Sequence, residues 1–129
     1  MTVICLIAVV DDDCSVRLAL GRLLRSAGLS VRMYGSGDEL LADPQLDSID
    51  CVVSDIRMPG FTGFDLFEAL RARGLRTPMI LMTALAKDGD EQRAQLSGSA
   101  CFLRKPFTEA QLMHCIEESL ARRRNPGSA

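Results

Sequence analysis

The sequence predicts an α/β domain of five strand–helix repeats around a parallel sheet. Three observations lead there. Short apolar runs alternate with amphipathic helical stretches along nearly the whole chain, and that order implies a parallel sheet covered by helices on both faces. The first run lacks the in–out alternation of a half-buried strand, as strands covered on both sides do. The chain has 129 residues, 47% hydrophobic and 25% charged, the size and balance of one soluble core.

The elements follow in order. Val3 to Val10 reads as the first strand. Asp13 is placed to cap a helix starting at Cys14, in which Val16, Ala19, Leu20, Leu23, Leu24 and Ala27 repeat at helical spacing and Arg17, Arg22 and Arg25 lie on other faces. Gly28 stands where a helix end wants a left-handed residue. Ser30 to Tyr34 is a second strand. Ser36 and Glu39 form a capping box for a short helix through Ala42, and Pro44 prevents its continuation. Cys51 to Ser54, ending at Asp55, is the third strand. After the loop Arg57-Met58-Pro59-Gly60, a helix from Gly63 to Arg73 carries Phe64, Phe67 and Leu70 on one stripe. Pro78 introduces the fourth strand, Met79 to Met82. Lys87 to Ser97 is a polar helix closed by Gly98, and Ala100 to Arg104 is the fifth strand. Thr108 and Gln111 box the start of a last helix with Leu112, Ile116 and Leu120 inward. The domain is expected over residues 1–122, with 123–129 a frayed tail or the start of a linker.

Composition excludes several functions. A net charge of -2 and a pI of about 5.3 give no basic surface for direct nucleic-acid binding. The absence of Trp and a single Tyr disfavour base stacking. The run Ile4 to Val10 falls far short of the ~20 residues that span a bilayer, so no membrane contact is expected. Three aspartates follow it, which is not the pattern of a secretory signal. The five cysteines show no C-x-x-C spacing. A disulfide scaffold or zinc site is not expected, and a reducing cytoplasm is. No glycine-rich phosphate loop follows the first strand, which removes the main support for nucleotide binding.

Open α/β sheets bind ligands at the carboxyl ends of their strands. Asp11, Asp12 and Asp13 follow the first strand, Asp55 ends the third, Thr83 follows the fourth and Lys105 the fifth. With the first and third strands adjacent, carboxylates crowd into one crevice, an arrangement that a cation relieves. Hard oxygen ligands suit Mg²⁺, which keeps waters and bridges to phosphate oxygens. A lysine and a hydroxyl nearby suit a group with more negative charge, and a carboxylate is a competent nucleophile toward phosphorus.

On four motifs the chain resembles the receiver domain of bacterial two-component response regulators. They are Val9-Val10-Asp11-Asp12 with Arg17, Ser54-Asp55-Ile56-Arg57-Met58-Pro59-Gly60 with Gly63, Leu81-Met82-Thr83-Ala84, and Phe102-Leu103-Arg104-Lys105-Pro106-Phe107. The resemblance covers residues 3 to 122. It implies a flavodoxin-like, doubly wound five-stranded sheet of order 2-1-3-4-5. Asp55 would accept a phosphoryl group from a sensor histidine kinase or phosphotransfer protein and catalyse its own loss. Asp11, Asp12, Asp55 and the backbone carbonyl of Arg57 would hold Mg²⁺, and Thr83 and Lys105 would contact the phosphoryl oxygens. Phe102 would be an aromatic switch turning inward as Thr83 moves. The fourth helix, fifth strand and last helix would form the output face toward a second copy or an output domain. Arg57 and Leu85 occupy positions that influence phosphoryl lifetime in the family. The resemblance also implies a cis peptide bond at Lys105–Pro106, a placement that the sharp turn after the lysine favours as well.

Two other functions fit parts of the pattern. Asp11-Asp12-Asp13-Cys14-Ser15 approximates the D-x-D-x-[TSV] motif of haloacid-dehalogenase-like phosphatases, with Asp11 as nucleophile and Asp13 as general acid. The acids that follow Lys105, namely Glu109, Glu117 and Glu118, all fall in the final helix, where that family needs a strand-end cluster. A binding module that no longer takes phosphate is the third reading, and the intact Asp–Asp–Asp–Thr–Lys set argues against it. His114 reads as an exposed bystander, and Arg122-Arg123-Arg124 as a complement to a helix C-terminus. The fourth helix departs from the family in placing Gln92 and Gln95 at positions expected to face inward. Only Ala94 and Leu96 are left to anchor it.

Overall fold

In the computed structural model, which describes residues 5–98 and 101–124, five parallel strands form one sheet in the order β2-β1-β3-β4-β5. They are β1 (Leu6–Val10), β2 (Ser30–Tyr34), β3 (Cys51–Asp55), β4 (Met79–Thr83) and β5 (Cys101–Arg104), alternating with α1 (Cys14–Ser26), α2 (Gly37–Leu41), α3 (Gly63–Ala72), α4 (Asp90–Ser97) and α5 (Glu109–Arg124). Residues 3–4 of the first predicted strand, Ala100 and the tail from 125 lie outside the described residues, as do the side chains of Arg122 to Arg124.

Period-2 side-chain direction divides the core between the two faces of the sheet. Ile7, Val9, Cys51, Val53, Ile80 and Met82 point to one side, where they meet Leu20 and Leu24 of α1 and Leu112 and Ile116 of α5. Ala8, Val10, Val52, Met79 and Leu81 point to the other, against Leu40 of α2 and Phe64, Phe67 and Leu70 of α3. Because β1, β3 and β4 are covered on both sides, they read as continuous apolar runs.

The expected punctuation is present. Asp13 accepts from the Ser15 and Val16 N–H groups at the start of α1, and Gly28 has φ +88° just past its end. Thr108 and Gln111 exchange both capping-box bonds. Ser36 accepts from Glu39 N–H, but the Glu39 carboxylate reaches back to Gly35 N–H. Thr62 and Asp65 form a further capping box before α3. A 3-10 turn, Leu46–Ser48, follows Pro44. The Lys105–Pro106 bond is cis.

Two expectations are corrected. Cys101 and Cys115 are disulfide-bonded, with Cα atoms 5.8 Å apart, while Cys5, Cys14 and Cys51 lie outside any disulfide. The pairing comes from the packing of α5 beside β5, which a sequence separation of 14 does not advertise. The second correction concerns α4. It starts at Asp90 after Gly89, not at Lys87, which sets its rotation. Asp90 and Ala94, one turn apart, face inward, while Gln92, Gln95 and Leu96 are exposed. Leu96 is 80% exposed and anchors nothing.

Candidate functional site

The parallel sheet delivers its polar strand ends to one edge. The register aligns Val10 with Ser54, Asp55 with Met82, and Thr83 with Arg104. The residue at or just after each strand end therefore lands in the same crevice. Carboxylate oxygens of Asp11, Asp12 and Asp55 all lie within 4.8 Å of one another. Lys105 reaches in from beyond β5, its Nζ 3.2 Å from Asp11 Oδ2 and 3.1 Å from Asp55 Oδ2.

Neighbouring backbone fixes each group. Asp11 Oδ1 accepts from Asp13 N–H at 2.9 Å, and the Asp11 carbonyl accepts from Arg17 at 2.7 Å. Arg17 thus ties the first helical turn to the loop that carries the acids. The other oxygen of Asp55, Oδ1, accepts from Arg57 N–H at 3.0 Å. Gly63 lies beneath it: a Cβ there would come within 2.7 Å of the Asp55 carbonyl oxygen, so only glycine lets α3 start this close to β3. Thr83 is buried, and its hydroxyl oxygen accepts from Leu85 N–H at 3.2 Å, leaving the hydroxyl proton free to be donated. The Thr83 carbonyl accepts from Lys105 N–H at 2.8 Å, joining the ends of β4 and β5.

The electrostatics show an excess of negative charge. Burial raises the Asp11 carboxyl above its ordinary value and outweighs the backbone N–H of Asp13 and the Lys105 amine, while the charge of Asp55 adds to the rise. Burial works against the charge on Lys105, but the Asp11 and Asp55 carboxylates outweigh it and hold the amine above its ordinary value. Three facing carboxylates supply the oxygen donors that a hard divalent cation takes, so Asp11, Asp12 and Asp55 fit Mg²⁺.

Sequence reasoning missed one member of this region. Asp90 of α4 is buried and paired with the Arg57 guanidinium. Burial would raise its carboxyl, but the Lys87 N–H and Arg57 outweigh this and hold it below its ordinary value. The residue beside the acid crevice thereby grips α4. The available signal was the helical repeat of Asp90 and Ala94. Phe102 is half-buried, packed against the face that holds α3 and α4, with the Arg104 guanidinium 5.9 Å from its ring centroid. Asp13 sits beside the crevice, but its carboxylate is engaged as the N-cap of α1. His114 is exposed, 3.3 Å from Glu118.

A family model, that of the response regulator receiver domain, matches residues 7–117. The chain belongs to that family. Among curated receivers, the transcriptional regulatory protein FixJ of Azorhizobium caulinodans is 39% identical over 92% of this chain and 56% of its own length. Nodulation protein W of Bradyrhizobium diazoefficiens is 34% identical over 92% of this chain and 52% of its own. The chain therefore spans about half the length of these relatives. Among solved receivers, chemotaxis protein CheY4 of Vibrio cholerae superposes with a TM-score of 0.82 at 29% identity, over 92% of this chain and all of that one. The FixJ-N structure gives a TM-score of 0.83 at 27% identity, over 94% of this chain and 96% of that one. The flavodoxin-like sheet expected of a receiver is the sheet observed.

Proposed function

We propose that this receiver accepts a phosphoryl group on Asp55 from the phosphohistidine of a sensor histidine kinase or phosphotransfer protein, in the cytoplasm. The reading is carried by the convergence of Asp11, Asp12, Asp55 and Lys105 at one sheet edge. An Asp55 carboxylate oxygen attacks phosphorus, the phosphorus–nitrogen bond breaks, and the imidazole nitrogen keeps the electron pair. Lys105 Nζ, already 3.1 Å from Asp55 Oδ2, moves its charge onto the incoming phosphoryl oxygens. The free hydroxyl proton of Thr83 supplies a further donor. Asp11, Asp12, Asp55 and the Arg57 carbonyl would hold Mg²⁺, which would offset charge on the transferred group. The same groups position water for hydrolysis of the aspartyl phosphate.

The switch runs outward from there. Thr83 turning toward the phosphoryl group makes room for Phe102 to move inward, which changes the face formed by α4, β5 and α5. That face then engages a second copy of the chain or an output domain. FixJ and NtrC are named as transcriptional regulators in the relatives, which supports an output on DNA made by a separate domain. The acidic receiver itself does not bind nucleic acid, and among the described residues no helix is long and apolar enough to cross a membrane.

Incubation with acetyl phosphate and Mg²⁺, read by intact-protein mass, tests this. One phosphoryl group is expected, absent in Asp55→Asn. Modification that survives Asp55→Asn but is lost in Asp11→Asn, or turnover of small phosphate esters, would instead make Asp11 a phosphatase nucleophile. Asp12→Ala should weaken Mg²⁺ binding while holding or raising stability without metal, because it removes a like charge. Unchanged Mg²⁺ affinity would place the metal elsewhere.

A further inference from the structure

The disulfide joins two elements of the proposed output face, and the loop it closes holds the machinery of the switch. Cys101 opens β5 and Cys115 lies in α5. Between them are Phe102 and Lys105, the amine that bridges Asp11 and Asp55. Any rearrangement in which Lys105 leaves those carboxylates and Phe102 turns inward must occur within this closed loop. The bonded arrangement is also the one in which Lys105 still pairs with both carboxylates and Thr83 is still tied to Leu85 N–H. The cross-link and the resting contacts thus occur together in one arrangement.

We infer that the Cys101–Cys115 pair is a reversible dithiol–disulfide site whose oxidation restrains the β5–α5 edge and slows phosphorylation of Asp55. The inference rests on the phosphorelay function proposed above. In a reducing compartment, disulfides are characteristically transient and redox-sensing rather than structural. Cys101 is partly exposed and Cys115 buried, so chemistry starts at Cys101. With a low-molecular-weight disulfide as oxidant, the Cys101 thiolate attacks one sulfur, forms a mixed disulfide and expels one thiolate. Cys115 then attacks Cys101 Sγ and expels the second. The protein pair loses two electrons and two protons, and the oxidant leaves as two thiols. A small dithiol reverses the exchange.

The full chain treated with oxidised glutathione is compared with the same chain treated with dithiothreitol. Peptide mapping without reduction should find Cys101 joined to Cys115 in the first sample, and thiol titration after unfolding should find all five cysteines as thiols in the second. Phosphorylation by acetyl phosphate with Mg²⁺ should be roughly fivefold or more faster in the reduced chain, the low end of ordinary coupling between sites. Cys115→Ser should be fast in both buffers. Cys101→Ser, altered at the more exposed partner, provides the same readout if the buried substitution impairs folding. Five thiols in both samples would overturn the inference. So would equal rates, or a faster oxidised chain. No phosphorylation in either sample would instead defeat the phosphorelay function, and the inference with it.

Discussion

Helices α1 and α4 both flank the sheet, yet they are held by different physics. α1 buries Leu20 and Leu24 among Ile7, Val9 and Val53, with Val16 and Leu23 packed at the margin. Its first turn is tied down by Asp13 and Arg17. α4 has one buried apolar residue, Ala94, and is gripped mainly by polar contacts: Asp90 with Arg57, and Arg93 stacked 4.2 Å above the Phe64 ring. Fully burying one Leu contributes about 1.5–3 kcal/mol without directional demands. A partly buried ion pair contributes less net, because desolvating its charges offsets much of their attraction, and it depends on where both partners sit. α1 is thus scaffold, and α4 is a helix whose position follows the residue two places after Asp55. Elements that rearrange in switching come from the weakly held end of a structure.

The comparison breaks most visibly in its apolar half. Leu24→Ala in α1 should cost about 2–5 kcal/mol in denaturant unfolding, the range for emptying a packed leucine site. A cost below ~1 kcal/mol would mean that α1 is not scaffold. Asp90→Ala should cost less, about 1–2 kcal/mol, because it removes a charge-assisted hydrogen bond and leaves a partly buried guanidinium without its carboxylate. Its main effect should be local, with faster amide exchange over residues 90–97 and none over 14–26. Exchange rising equally in both helices would deny that the Arg57–Asp90 pair is a local grip.

A smaller effect concerns Lys105. Its folded-state pKa lies above the ordinary 10.5, so the stability it contributes is complete below that pH and is lost as pH rises through the raised value. Without Mg²⁺, unfolding free energy should fall as pH rises from the ordinary 10.5 through the raised value, and Lys105→Met should remove that part of the slope. An unchanged slope would mean that the amine is not bound to Asp11 and Asp55 in solution. Smallest of all is Leu96→Ala, expected within ~0.5 kcal/mol of the parent because the side chain already faces water.

How far the sequence revealed this follows from the kind of signal each feature leaves. The strands β1, β3 and β4 were legible because burial on both faces writes itself as uninterrupted apolar runs, and four strand ends then pointed to Asp11, Asp12, Asp55, Thr83 and Lys105, whereas the order of the strands in the sheet followed only from the resemblance to receivers. Capping boxes at Ser36 and Thr108 were legible because they are local. The rotation of α4 was not. With so few apolar residues it has no stripe to read, and its phase is set by Gly89 and by the long-range partner of Asp90, Arg57. The Cys101–Cys115 bond was missed for the same reason, since β5 and α5 become neighbours only through the fold.

The central claim is that the phosphoryl signal at Asp55 is expressed in α4 and not in α1. Amide hydrogen exchange of the full chain with Mg²⁺, with and without beryllofluoride as a phosphoryl mimic, measures it most directly. Residues 90–97 should exchange faster than 16–26 in the resting protein and should show the larger change when the mimic is added. Equal protection of the two helices, with no response in α4, would contradict the account.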